Sequence, residues 1–450
     1  MRRRLATLLT TAALVGTLLT AASTAPAAAK SGGAPLSAPD LDDFVLSRPA
    51  AARQLDGRAD GLADRLATAD VQQVMSNASR QGRVAAGKAC NPRAIERISI
   101  GPHAYMAAGV TIRRSICFAS ADAGHRRITG VQWTPQGVTT VADARSNQRL
   151  PDGSSQPVIV SWYNGLPSSD LDQHRGARIS FVDPRTGRYE HALLVYPTAD
   201  DNYMTLRRKQ KADGSSPHVG GIVWYGDYLY VADGTRGLRV FSMKHILDLG
   251  KSRHGNTTNR SKIGRHGGTY YGLGYRYLMP EVDAYTSTTG SDRICTGGAT
   301  GSIFSFVGLD RTGTNHLTTG EYCNAEDSTT PGRVAAWPLR DTGGRPRLTG
   351  GDWRADAAYN LPAGTSNYQG AVRSNGRWYL SSSDGAEHAG RRYRTVPVST
   401  ATGTLKIDPR ADQNLTIGPE DLSLWPGSSR YSGLWTVSEH PTKRMLYSIG

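Results

Sequence analysis

The chain has 450 residues, a formal charge of +15, 38% hydrophobic and 20% charged residues, with 51 Gly, 23 Pro, 20 Tyr and 4 Cys. That balance excludes a collagen, a coiled coil, a disulfide-framework miniprotein and a wholly disordered chain. Beyond the N-terminal leader no apolar stretch reaches the roughly 20 residues needed to span a bilayer, so stable membrane insertion is not expected.

The chain opens Met1-Arg2-Arg3-Arg4, continues as an apolar run from Leu5 to Ala22, and closes with Ala25-Pro26-Ala27-Ala28-Ala29. A basic head, an apolar middle and a small-residue exit make residues 1–29 a secretory signal, with residues 30–38 a flexible linker. The exported chain keeps 50 basic against 38 acidic residues, a formal +12, and is expected to be extracellular and monomeric. That charge suits an anionic partner such as an acidic glycan or a cell-wall polymer. No nucleic-acid partner is expected, because the basic runs at 206–211 and 390–394 match no nucleic-acid motif.

Residues 39–95 are expected to form a helical cap segment, since Leu55, Ala59, Leu62 and Leu66 recur at helical spacing. Gly57 and Gly61 break it into short pieces. The four cysteines allow three pairings, and their grouping favours structural disulfides Cys90–Cys117 and Cys295–Cys323 in an oxidising compartment. None has Cys-x-x-Cys spacing, so the sequence calls for no metal, and it names no cofactor.

From residue 96 to 450 short apolar stretches alternate with Gly, Asn, Asp and Pro turns. Asp183-Pro184-Arg185-Thr186-Gly187 is a hairpin signal between two strands. A loose repeat runs through the region, clearest from His218 to Phe241: strand, Gly226-Asp227 turn, strand, loop, strand. Copies lie at 128–143, 368–380 and 419–449, with weaker units near 155–196, 266–279 and 301–339. The pattern predicts an all-β chain, a β-propeller of six or seven blades with seven favoured, closed by pairing between the strand at Tyr447 and one near 98–112. A pair of β-sandwiches and an irregular β-solenoid are the alternatives. The leader, the His218-to-Phe241 unit and the tail from Gly418 to Pro441 resemble secreted actinobacterial β-propeller proteins of unassigned function. That resemblance implies fold and habitat only.

In a propeller the inner strand of each blade starts beside the central channel, so polar residues at those starts converge. In this register Arg127, His218, Asn367 and Gly418 are equivalent, and Glu420 and Asp421 fall at the positions of Gly220 and Gly221. His266 also precedes a Gly-Gly pair. The expected channel therefore gathers His218, His266 and Glu420 as proton-transfer groups, and Arg127, Asn367, Gln369 and Asp421 as ligand contacts. Trp162 and Tyr163, beside an Asn-Gly turn, read as an exposed sugar-stacking platform. Glu439-His440 reads as part of an outer hairpin turn because Pro441 follows. No Gly-x-Ser-x-Gly elbow, His-Glu-x-x-His helix or phosphate-binding loop occurs. The expected function is recognition and cleavage of an acidic polysaccharide, by a lyase or a glycosidase. The alternative is a non-catalytic propeller that binds a wall polymer, ligand or protein.

Overall fold

Apolar runs of four to eight residues separated by left-handed turn residues fold here into hairpins that pack around one axis. Gly226, Asn375 and Gly376 all take positive φ where two strands reverse, and Asp183 with Gly187 closes another such turn. The computed structural model describes residues 36–91, 110–123, 133–164, 175–207, 216–288, 295–296, 300–326, 328–441 and 443–450.

Among the described residues the chain forms five blades, not the six or seven that the repeat count predicts. The first blade is Trp133–Thr140, Val158–Asn164, Ala177–Val182 and Arg188–Thr198. The second is Ile222–Tyr225, Tyr228–Ala232, Gly237–Ser242 and Tyr277–Ser287. Phe306–Asp310, His316–Gly320, Arg333–Pro338 and Ala357–Asn360 make the third, and Tyr368–Ser374, Arg377–Ser382, Ala389–Arg394 and Gln413–Ile417 the fourth. The fifth takes Ser423–Trp425, Gly433–Val437 and Leu446–Ile449 from the end of the chain and Ile112–Cys117 from its beginning. Two of the seven sequence units thus lose their independence. The described parts of the units 128–143 and 155–196, namely 133–143, 155–164 and 175–196, belong to one blade, and 266–279 is an excursion within the second blade, carrying the hairpin Ile263–His266 and Thr269–Gly272.

Each blade is an antiparallel meander, and the last strand of the chain pairs with Ile112–Cys117, Tyr447 opposite Ser115. The first and second blades also join edge to edge, because Tyr277–Pro280 runs parallel to Ala192–Val195. Inner strands touch around the axis through residues without side chains. A Cβ on Gly137 would lie 2.8 Å from the Ile222 nitrogen, one on Gly221 2.3 Å from the Val307 nitrogen, and one on Gly308 2.5 Å from the Ala371 carbonyl. One on Gly370 would lie 2.8 Å from the Leu422 nitrogen. Asp421 closes the ring differently: its Oδ2 accepts hydrogen bonds from the Val138 nitrogen at 3.2 Å and the Ile222 nitrogen at 3.1 Å. The spaces between blades fill with apolar side chains, among them fully buried Trp162, Trp337, Trp378, Trp425 and Trp435.

The segment before the blades holds the helices Leu55–Ala63 and Val71–Ser76, the second opened by an Asp70–Gln73 capping box. Its short strands extend existing sheets: Val45–Ser47 pairs with Tyr277–Ser287, and Arg83–Ala86 with Ile112–Cys117. Disulfides join Cys90 to Cys117 and Cys295 to Cys323. Among the described residues no helix is long and apolar enough to cross a membrane.

Candidate active site at the axial mouth

Inner strands all start at one end of the axis, and that end opens into a cavity of roughly 400 Å³ lined by Gln136, His218, Ser305, Tyr322, Gln369 and Glu439. Alternating strand direction brings two kinds of segment here: the starts of first strands, and the hairpins between second and third strands. Gly418 to Asp421 is of the first kind. Glu439 and His440, between Gly433–Val437 and Leu446–Ile449, are of the second.

Backbone bonds lock the two segments together. The Glu439 nitrogen donates to the Gly418 carbonyl at 3.0 Å, and the Glu420 nitrogen to the Val437 carbonyl at 2.9 Å. Gly418 has φ of +65°, and a Cβ there would meet the His440 ring at 2.4 Å. The carboxyls of Glu420 and Glu439 become neighbours as a result. Glu420 is buried, and burial together with the charge and hydrogen bonding of Glu439 and the charge of Asp421 raises its pKa well above the ordinary carboxyl value. It therefore holds its proton where a surface glutamate would have lost it. Glu439 reaches the cavity, with 21% of its side chain exposed, and accepts a hydrogen bond from Gln136 Nε2 at 3.1 Å. Arg444 Nε donates to the Glu439 carbonyl at 2.6 Å, and the His440 ring lies 3.6 Å from its carboxylate. Burial lowers His440 against the pull of Glu439, so that imidazole is kept neutral.

His218 lines one wall and Tyr163 backs it, their rings 4.6 Å apart and inclined by 32°. Burial and the nearby Glu439 and Glu420 raise the Tyr163 phenol, and the same causes raise Tyr322. Both phenols stay protonated; Tyr322 lines the cavity and can donate to a sugar hydroxyl, while the Tyr163 phenol meets the Thr134 side chain. The exposed face of His218 over Tyr163 gives a flat surface on which a sugar ring can stack.

His218, Tyr163, Gln369 and Glu420 are thus brought together at the mouth. Asp421 lies just below, its Oδ2 spent on two backbone donors, and burial raises its pKa well above the ordinary carboxyl value. His266 does not converge. Its hairpin packs beside Asn202–Thr205 at the outer edge of the first blade, exposed, with Nε2 bonded to the Ile263 carbonyl at 2.8 Å. Asn367, at φ of +54°, ties loops together, its nitrogen donating to the Cys323 carbonyl and its Oδ1 accepting from the Ala325 nitrogen. Arg127 lies outside the described residues.

Trp162 is not an exposed platform. It is fully buried, packs edge-on against Phe118, and donates to Ser180 Oγ at 2.8 Å. Ser180 in turn bonds His191 Nδ1 at 2.8 Å, and His191 Nε2 lies 3.0 Å from Asp122. That serine–histidine–aspartate order has no nucleophilic role, because Ser180 and His191 are sealed from solvent. Gln136, Ser305 and Tyr322 are mouth residues that sequence reasoning missed, and Glu439 is one it set aside as an outer turn. Among the described residues no cluster of three or more His, Cys, Asp and Glu side chains could hold a metal ion.

No protein-family model matches this chain, and no curated protein matches its sequence. Among solved structures it is similar to a GH43_1 enzyme from Xanthomonas citri, at 8% identity and a TM-score of 0.33, covering 71% of this chain and 87% of that one. It is similar to RS223-β-xylosidase at 10% identity and a TM-score of 0.34, covering 70% and 93%. A third likeness is to CoXyl43, a GH43 β-xylosidase/α-arabinofuranosidase from a compost microbial metagenome, at 10% identity and a TM-score of 0.29, covering 78% and 94%. The likenesses found are to these proteins and not to secreted actinobacterial propellers of unassigned function, and they replace that expectation.

Proposed function

We propose that this protein is an extracellular glycan-cleaving hydrolase that acts at the axial mouth, with Glu439 as the group that exchanges a proton with the substrate. The observation that carries the reading is the Glu420–Glu439 carboxyl pair, one member buried, with its pKa raised well above the ordinary carboxyl value, and the other facing the cavity. In the reaction Glu439, resupplied by Glu420, gives a proton to the glycosidic oxygen as the bond to the anomeric carbon breaks. Water adds to that carbon and returns a proton to the pair, so the reaction consumes one water and leaves the enzyme unchanged. The Tyr163–His218 wall stacks the sugar ring, while Tyr322 and Gln369 contact its hydroxyls. The exported charge of +12 supports an acidic rather than a neutral polysaccharide.

Binding without turnover is the second reading, and one feature favours it. Glycosidases of the two-carboxylate type place their carboxyls about 5–9.5 Å apart on opposite sides of the scissile bond. Here Glu420 and Glu439 adjoin on one side of the cavity. Incubation with acidic and neutral polysaccharides, reading reducing ends and the ultraviolet absorbance of unsaturated uronate, separates the readings. New reducing ends without that absorbance are expected from an acidic substrate. Absorbance would replace hydrolysis by elimination, and saturable binding with no new ends would establish the non-catalytic reading.

A further inference from the structure

A larger cavity, of roughly 610 Å³, opens on the face opposite the mouth. Three loops of that far end build it: 149–156 between the first two strands of the first blade, the 183–187 hairpin, and 426–432 in the fifth blade, with the helix Val71–Ser76 at its side. Arg149, Arg185, Arg188 and Arg430 line it, against two carboxylates, Asp152 and Asp183. The carboxylates are largely occupied by their own turns. Asp152 accepts from the Ser154 and Ser155 nitrogens and from Ser155 Oγ, and Asp183 from the Arg185 nitrogen and Thr186 Oγ1, with Asp183 Oδ2 also 3.8 Å from Arg185 Nη2 in an exposed ion pair. The guanidiniums have donors to spare: Arg149 uses Nη1 on the Gly153 carbonyl, and Arg188 uses Nη2 on the Ala78 carbonyl. Tyr431 anchors the floor, with Arg114 5.4 Å and Arg430 5.7 Å from its ring centre. Arg114 also bonds the Pro184 carbonyl at 2.9 Å, which fixes the hairpin against the fifth blade.

We infer that this groove is a second binding site, for a carboxylate- or sulfate-bearing stretch of an acidic polysaccharide, on the face away from the mouth. Planar guanidiniums pair two hydrogen bonds at a time with carboxylate or sulfate oxygens, and four along one groove fit repeated anionic groups better than a single small ion. Polar side chains beside them, Gln72 and Gln156, match sugar hydroxyls. This inference does not depend on turnover at the mouth.

The test measures binding of hexagalacturonate, a sulfated hexasaccharide, neutral xylohexaose and a single-stranded oligonucleotide of equal charge, in an E439Q background. Bound hexagalacturonate or sulfated hexasaccharide should shield Arg185 and Arg430 from phenylglyoxal, located by peptide mass, a readout that binding at the mouth does not supply. Whichever of the two binds more tightly identifies the anionic group. R185A/R430A should weaken that binding roughly tenfold, and R185K/R430K, which keeps charge but loses the paired geometry, by less. Thermal midpoints check that both variants fold. No shielding, an affinity within twofold of the parent in folded R185A/R430A, or tighter binding of the oligonucleotide than of either acidic sugar would overturn the inference.

Discussion

At the scale of single residues, the proposed function rests on Glu420 and its neighbour. A carboxyl whose folded pKa is raised holds a proton that the unfolded chain releases near pH 4.3, so stability falls as pH climbs from there towards the folded value. Burial and Glu439 place Glu420 in that class, and burial puts Asp421 in it too. E420Q keeps the shape and removes the titration. The variant should gain urea stability relative to wild type progressively as pH rises above about 4.3 towards the raised folded value. Parallel pH profiles for the two proteins would show that Glu420 is not held protonated. Glu420 could be found in sequence because it aligns with Gly220 at an inner-strand start. Glu439 was set aside, because Pro441 marks only a turn, and which end of the blade that turn occupies depends on strand order. Counting strand reversals from Glu420 would have found it: the hairpin after the second strand returns to the level where the first begins. His266 misled for the opposite reason. A Gly-Gly pair marks any tight turn, and here the turn is a peripheral hairpin.

At the scale of elements, the fold depends on how closely five inner strands approach the axis. Four use glycine at the contact and the fifth uses Asp421, whose Oδ2 replaces direct backbone packing with two hydrogen bonds. D421A strands two buried N–H donors and should cost roughly 2–4 kcal/mol, whereas D421N keeps an acceptor and should cost under about 1 kcal/mol. Equal losses in chemical denaturation would mean that Asp421 does not tie the strands. G221A places a Cβ 2.3 Å from the Val307 nitrogen, and overpacking of this kind should cost about 1–3 kcal/mol in the same assay. Strands and turns were legible here, because Gly-x-Tyr-Leu-Tyr and Asn-Gly pairs carry their own geometry. Blade membership was not. Loops between the strands of one blade are as long as those between blades, so 128–143 and 155–196 read as separate units though Trp133–Thr140 and Val158–Asn164 pair as neighbouring strands.

For the whole molecule, closure is the decisive contact. The fifth blade combines three strands from the C-terminus with Ile112–Cys117, so the ring is fastened by pairing of the last strand with one that precedes the first blade. Deleting residues 446–450 exposes the edges of Gly433–Val437 and Ile112–Cys117 together, and should abolish the cooperative thermal transition. A truncated chain that still melts cooperatively near the wild-type midpoint would contradict closure by these strands. Closure also brings Glu439 of the last hairpin to the same mouth as Gln136 of the first blade and Gln369 of the fourth. The most direct test of the account is therefore steady-state cleavage of the acidic polysaccharide that the screen identifies, comparing E439Q with wild type. General acid–base transfer contributes about 10²–10⁴-fold, so kcat should fall by at least about 100-fold while KM stays within a few-fold. A kcat for E439Q within about threefold of wild type, in a protein that melts normally, would contradict a proton-transfer role for the axial pair.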